Sequence, residues 1–255
     1  MPMFPENNWC IPVAESLPAG MLHFDLLIRQ SDSHTVALIV NNNEVLNAGR
    51  WSETFVSPEL EKLALQAQRV RRVYLGSSFT WIPTNFEADT LFLKKSLGKL
   101  PSDAIIDVVH FGAYGQLVSA LPHGFQSAYT FNMFSLLETK SPLIHVHADD
   151  FRVLLSIFWD NSLRLHTSYQ AETLSDLMYY ILFSLDQLKL KADQAQLSVS
   201  GSRFNLEEVE QQGGQFFSSI QPLWDKRFPG WTSKLISAGF DGSGFEFDRF
   251  IYAYH

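Results

Sequence analysis

Residues 144–150 read IHVHADD, two histidines two apart followed by two aspartates. Metallohydrolases built on His-x-His-x-Asp-His hold a first metal with this spacing, so the stretch poses a choice between a metal cradle and a strand running into a turn. Its surroundings favour the strand. Asp150 stands where that motif needs its last histidine, and after His147 only His166 and His255 remain as further imidazoles. Distant loops would have to supply the other ligands. The chain then continues as FRVLLSIFW (151–159), an extended Val/Ile/Leu-rich run where the metal motif opens a helix. His145 and His147 fall on one side of the strand. His166, in SLRLHTSY (162–169), sits on the third strand of the same meander, where a surface cluster of imidazoles can form. The expectation is hydrogen-bonded structural histidines. A zinc hydrolase acting through His145, His147 and Asp149 is the third-ranked alternative.

From Leu143 the order is therefore strand, the turn DD, strand, the turn DN, strand. A helix follows in TLSDLMYYILFSLDQLKL (173–190). It opens on a Thr173 to Asp176 capping pattern and keeps Leu174, Leu177, Met178, Ile181, Leu182, Leu185 and Leu188 on one face. The same order occupies the first half. Met21 begins an alternating strand with Leu22, Phe24, Leu26 and Ile28 on one side and His23, Asp25 and Arg29 on the other. The turn QSDSH, the strand TVALIV, an Asn-rich turn and EVLNAG complete a meander, and SPELEKLALQAQR (57–69) opens a helix with Ser57 as N-cap and Pro58 in its first turn. Each helix leads to a strand with a similar ending, YLGSSF (74–79) and SVSGSRF (198–204), in which Gly76 and Gly201 correspond. The chain reads as duplicated, with an N-terminal arm over 1–20, a first unit over 21–140 and a second over 141–255.

Between the units, NFEADTLFLKKSLGKLP (85–101) reads as partly helical, AIIDVVHF (104–111) as a strand and SAYTFNMFSLLETKSP (127–142) as ambiguous. Ser202 or Asn205 caps LEEVEQQGGQFF (206–217). The closing LISAGFDGSGFEFDRFIYAYH (235–255) alternates on both sides of a Gly-rich turn and predicts a terminal hairpin. Gly239, Gly242 and Gly244 are thus turn residues, with no helix after them to bind phosphate.

Composition bounds the function. Of 255 residues, 46% are apolar, 18% are charged and 21 are Phe, which predicts a large, aromatic-rich core. A net charge of -8 repels nucleic acid and acidic membrane surfaces. Cys10, the single cysteine, excludes an internal disulfide and a multi-thiolate metal site and reads as an inert thiol. The N-terminus carries no basic leader with an apolar run, and LMYYILFSL (177–185) is about half of a bilayer span. The expected location is the cytoplasm. His23, His34, His110 and His123 have no partner at recognisable spacing and read as surface or loop residues. No Gly-x-Ser-x-Gly elbow or Walker loop is present.

Two copies of strand, strand, strand, helix, strand, helix is the layout of the actin-like ATPase superfamily. The sequence resembles an uncharacterised bacterial family with that fold, through FTWIPTNFE (79–87) and LRLHTSYQAETLSDLMYYILFSLDQLKLKADQAQLSVSG (163–201). The resemblance implies a mixed α/β protein of two ribonuclease-H-like domains, with a nucleotide site between them. In active members each domain's first hairpin is an Asp-x-Gly-x-Thr phosphate loop, in which Gly admits backbone amides to the phosphate. The equivalents here, RQSDSHT (29–35) and HVHADDFR (145–152), contain no glycine, and Asp149 and Asp150 would repel phosphate unless magnesium intervened. Gly201 and Ser202 resemble the superfamily's adenosine-contacting turn, with Ser200 in place of its first glycine. The first expectation is therefore a non-catalytic binding or scaffolding protein with an unknown protein partner, a cleft narrowed by side chains and no cofactor. Exposed aromatics in FPGWTS (228–233) would mark its contact surface. The alternative is a divergent ATP-binding protein or slow ATPase that takes ATP with Mg through Ser31, Asp32, Ser33, Asp149, Asp150, Gly201 and Ser202.

Overall fold

Strands that bury both faces need cover on both sides, and the computed structural model shows how this chain supplies it. It describes residues 8–13, 17, 23–52, 57–76, 79–82, 97, 104–110, 116–127, 141–149, 152–160, 162–223, 228–238 and 245–254. The strands are β1 (Asn8–Trp9), β2 (Asp25–Ser31), β3 (Thr35–Asn41), β4 (Glu44–Trp51), β5 (Arg69–Leu75), β6 (Phe79–Ile82), β7 (Ile105–His110), β8 (Gln116–Leu121), β9 (Gln126–Ser127), β10 (Leu143–Asp149), β11 (Arg152–Trp159), β12 (Ser162–Gln170), β13 (Gln196–Ser200), β14 (Ser219–Pro222) and β15 (Gly230–Trp231). The helices are α1 (Pro58–Gln66), α2 (Leu174–Gln187), α3 (Leu206–Gly213), α4 (Ser233–Ser237) and α5 (Glu246–Tyr254).

The first sheet runs β1-β4-β3-β2-β5-β9 and the second β12-β11-β10-β13-β14. In each, three antiparallel strands form a meander whose first strand pairs in parallel with the strand after the helix. The order β4-β3-β2-β5-β9 and the order β12-β11-β10-β13-β14 are thus the same pattern of strands and directions. A third sheet, β6-β8-β7, is antiparallel and includes the strand expected at 104–111. The helix expected within 85–101 and the ambiguous stretch 128–140 lie almost wholly outside the described residues.

Local sequence sets the boundaries. Asn42 and Asn43 take positive φ of 48° and 63° in the β3–β4 turn, where a short polar side chain tolerates the left-handed region. The Ser57 side chain accepts from the Leu60 amide at the start of α1, and Thr173 and Asp176 form the reciprocal capping box of α2. Asn205, rather than Ser202, caps α3, accepting from the Glu207 amide at 3.1 Å.

The C-terminus departs from expectation. Residues 246–254 form a helix, not the second strand of a hairpin, because Phe247, Phe250 and Ile251 sit at i, i+3 and i+4 and all three are buried. The alternation in FEFDRF fits a strand equally well, and tertiary burial of the helical face decides between them. The glycine turn 239–244 lies outside the described residues, but a helix does follow it. This helix packs against the first sheet: Tyr252 Oη donates to Asp25 at 2.8 Å and Arg71 Nη1 donates to the Tyr252 carbonyl at 2.6 Å. β15 also returns to the first sheet, pairing in parallel with β4.

The largest apolar cluster lies where the two sheets face each other. Leu27, Val36 and Leu38 from the first sheet and Leu154, Phe158 and Leu163 from the second meet Phe247, Phe250 and Ile251 of α5 there. α2 covers the outer face of the second sheet and α1 that of the first. Phe250→Ala should therefore lower the urea-unfolding free energy by about 3–5 kcal/mol, while Ile236→Ala, at an exposed position of α4, should change it by less than about 0.5 kcal/mol. Equal effects would place Phe250 outside the core.

Candidate functional site

Arg29 was expected on the polar side of β2, yet its side chain is entirely buried, because the second sheet and α5 cover that side as well. A fully buried guanidinium requires anionic partners. It has two. Arg29 Nε and Nη2 donate to Asp248 Oδ1 and Oδ2 of α5, and Nη2 also donates to Asp149 Oδ2 at the end of β10, 3.3 Å away. Burial alone would lower the Arg29 pKa, but the charges and hydrogen bonds of Asp248 and Asp149 outweigh it and raise the value. One cation thus joins both sheets and the C-terminal helix.

Asp149 continues the network. Its Oδ2 also accepts from His147 Nε2 at 3.1 Å and His34 Nε2 at 3.2 Å, and its Oδ1 accepts from the Ser202 amide and hydroxyl, both at 3.3 Å. Burial opposes the Asp149 charge. The field and hydrogen bond of His147, the hydrogen bond from His34 and the charge of Arg29 outweigh it and hold the carboxyl well below the usual carboxylate range. Behind it, Ser200 Oγ lies 3.0 Å from both His147 Nδ1 and His145 Nε2, and Phe247 stacks on His147 with ring centroids 4.3 Å apart.

The histidines are hydrogen-bonded, as expected, but they do not form a surface cluster. His145, His147 and His166 are 3%, 2% and 8% exposed: β10, which carries the first two, is the central strand of its sheet and has Phe247 of α5 over it, while His166, on the edge strand β12, packs against Phe79 with ring centroids 4.8 Å apart. Burial lowers the His145 pKa well below its ordinary value, helped by the neighbouring His147 and His166, and pushes His166 down to about 3. His145 and His147 converge on a serine hydroxyl. Among the described residues no three His, Cys, Asp or Glu side chains form a group able to hold a metal ion, so the zinc-hydrolase alternative has no geometric support.

Ser31, Asp32, Ser33 and Asp149 line one cavity of about 310 Å³ together with His34, Leu75, Gly76, His147, Arg152, Leu154 and Gln170. The two hairpins singled out in the sequence thus share one cavity. Gly201 and Ser202 do not line it. Gly201, at φ +101°, lies so close to β10 that an added Cβ would stand 2.2 Å from the Ala148 carbonyl oxygen, and Ser202 is spent on Asp149. Asp150 lies outside the described residues. The two hairpins bind each other across the cleft where Arg152 Nη1 donates to Asp32 Oδ2 at 3.2 Å, and beside them Arg50 Nη1 of β4 donates to Ser202 Oγ, just after β13, at 2.9 Å. Missed from sequence were Arg29, Asp248 and His34. His34, expected as a surface or loop residue, does lie in the turn between β2 and β3 but is only 3% exposed. An arginine directly after the apolar run Leu26–Ile28 of β2 was the available signal for this network.

The contact surface expected at FPGWTS is not exposed either. Phe228 is buried and Trp231 is half-buried, with the Arg249 guanidinium 4.7 Å from its ring. Exposed aromatics stand instead on α2, where Tyr179 and Phe183 are 61% and 46% exposed and stack on each other.

Comparison with solved structures assigns the architecture. A Bacteroides thetaiotaomicron protein with actin-like ATPase fold and unknown function superposes with a TM-score of 0.63 at 16% identity, covering 90% of this chain and 95% of that one. The fold is that of the actin-like ATPases. A chain of the PilM-PilN type IV pilus biogenesis complex superposes with a TM-score of 0.53 at 11% identity, covering 90% of this chain and 97% of its own. Residues 125–220 match the model of a family described as "Protein of unknown function (DUF3822)". No curated protein matches the chain. No helix among the described residues is long and apolar enough to cross a membrane.

Removing Arg29 leaves two carboxylates buried without their cation. Arg29→Met should cost about 3–5 kcal/mol in equilibrium unfolding, and adding Asp149→Asn and Asp248→Asn should restore part of that loss. The pH dependence has a definite sign. Buried His145 and His166 stay neutral in the fold, whereas in the unfolded chain they take up protons below about pH 6.5, so protonation favours unfolding. Their contribution is complete above pH 6.5 and falls by up to about 1.4 kcal/mol per pH unit per group as pH drops toward their folded values. Asp149, with its folded pKa depressed, adds stability above about pH 3.9 that is lost only on further acidification. Urea titrations from pH 7.5 to 4.5 should show this decline, and His166→Gln should reduce its slope by about one proton. A flat profile would contradict the assignment.

Proposed function

We propose that this chain is a binding or scaffolding protein, not a nucleotide hydrolase, built from two ribonuclease-H-like units over 21–140 and 141–255 with an arm over 1–20. Both units descend from one ancestral unit by duplication, and the final residues return to the first sheet. The shared strand order of the two sheets supports the duplication. We assign the chain to a bacterial cytoplasm, with a protein as partner rather than nucleic acid or membrane. The net charge of -8 agrees with that choice of partner, as does the occurrence of the fold in a pilus-biogenesis complex. The exposed Tyr179 and Phe183 are the proposed contact surface.

The observation that carries this reading is the ion cluster of Arg29, Asp149 and Asp248 between two glycine-free hairpins. A triphosphate needs free backbone amides and a position for its metal at those hairpins. Here the Ser31 amide donates to the His34 carbonyl at 2.9 Å, and Asp149 is already engaged by Arg29, His34, His147 and Ser202. The cavity of about 310 Å³ stands at the lower end of the roughly 300–1,000 Å³ typical of ligand pockets.

Thermal unfolding with millimolar Mg-ATP or Mg-ADP should match unfolding without nucleotide, and no phosphate release should be seen above the buffer rate. A ligand at a hundred times its Kd would add about 2.7 kcal/mol. A nucleotide-dependent rise in Tm that disappears in Ser33→Ala or Asp149→Asn would replace this reading with the ATP-binding one.

A further inference from the structure

Beyond the binding role, and independently of it, we propose that Ser33 is an activated nucleophile that hydrolyses small acyl esters in the cavity between the hairpins. The proposal rests on a chain of hydrogen bonds. Ser33 Oγ lies 2.9 Å from His34 Nδ1, and His34 Nε2 lies 3.2 Å from Asp149 Oδ2. Arg29 Nη1, which can only donate, also lies 3.5 Å from Nε2, but the shorter contact is to the anionic Asp149, which can only accept, so Nε2 is assigned the imidazole hydrogen and Nδ1 the lone pair. Ser31 Oγ is also near Nδ1, at 3.1 Å, but its single hydrogen is given to the His34 carbonyl oxygen at 3.0 Å. Ser33 Oγ, at the shorter distance of 2.9 Å, is placed to donate its hydrogen to that lone pair. This is the serine, base and orienting carboxylate of nucleophilic catalysis, drawn from both halves of the molecule.

Access distinguishes Ser33 from the second such chain. Ser200, His147 and Asp149 repeat the same bonds, with Ser200 Oγ 3.0 Å from His147 Nδ1 and His147 Nε2 3.1 Å from Asp149 Oδ2. Ser200 is buried and lines no part of the cavity, whereas Ser33 is exposed and lines it. Leu75 and Leu154 on the cavity wall suit a short acyl chain, and Arg152 lines the same cavity, where its N–H groups other than the Nη1 donor bound to Asp32 are the proposed donors to a developing oxyanion.

In the reaction, Ser33 Oγ forms a bond to the ester carbonyl carbon as its proton passes to His34 Nδ1. The bond from that carbon to the alcohol oxygen then breaks, and the leaving oxygen takes the proton from Nδ1. Water attacks the acyl-serine in turn, giving its proton to Nδ1. The bond to Ser33 Oγ breaks, Oγ recovers the proton, and one ester and one water have become a carboxylic acid and an alcohol.

The test treats the full-length protein with a fluorophosphonate probe and, separately, with p-nitrophenyl acetate and butyrate. The expected results are a phosphonyl adduct on Ser33 by peptide mass and p-nitrophenolate release about 10²-fold or more above buffer. Both should be lost in Ser33→Ala and reduced about 10²-fold in His34→Gln, with unfolding curves confirming that each variant is folded. An adduct confined to other residues, no adduct, or Ser33 labelling indifferent to His34→Gln would overturn the proposal. Nucleotide binding in the thermal assay bears only on the function proposed above and leaves this outcome unaffected.

Discussion

A guanidinium sealed from water between two carboxylates holds the molecule together. Arg29 comes from β2, the first strand of the first meander, Asp149 from β10, the first strand of the second, and Asp248 from α5. None of the three charges can be buried at acceptable cost alone, so each element needs the others in place. The cluster makes the interface between the halves specific, where apolar contact among Leu27, Leu154 and Phe250 would by itself permit sliding.

The same cluster determines what the cleft can do. In an actin-like fold the two first hairpins face each other across a nucleotide. Here they face each other across Asp149, whose charge is met by Arg29 and whose oxygens also accept from His34, His147 and Ser202. What remains is a small cavity at the rim, where Ser33, His34, Arg152 and two leucines meet. In the two proposals the same carboxylate has two consequences: it disfavours a phosphate at the hairpins, and it orients a histidine. Fold alone would have suggested neither outcome, because function resides in the residues at the hairpin tips.

Much of this was legible in the chain. The meanders, the capped helices and the absence of glycine from both hairpin turns follow from local patterns that operate over a few residues, and those patterns were enough to recognise the layout. The terminal helix was not legible. FEFDRF alternates like a strand, and its i, i+3, i+4 face acquires meaning only when a second sheet exists to cover it. The histidines show the same division: their bonding was foreseeable from their shared strand face, but their burial was not, since α5 arrives from about a hundred residues further along.

The sequence by itself determined the fold class, the two parallel runs of elements and the absence of glycine from both hairpin turns, because strand period, helix capping and turn composition are written in neighbouring residues. Only the tertiary structure decided that Arg29 is an interior cation, that Asp149 is the shared acceptor of both halves and that Ser33 faces a cavity while Ser200 does not. Those facts depend on which surfaces exclude water, and that exclusion arises only when residues 120 and 219 positions apart come into contact.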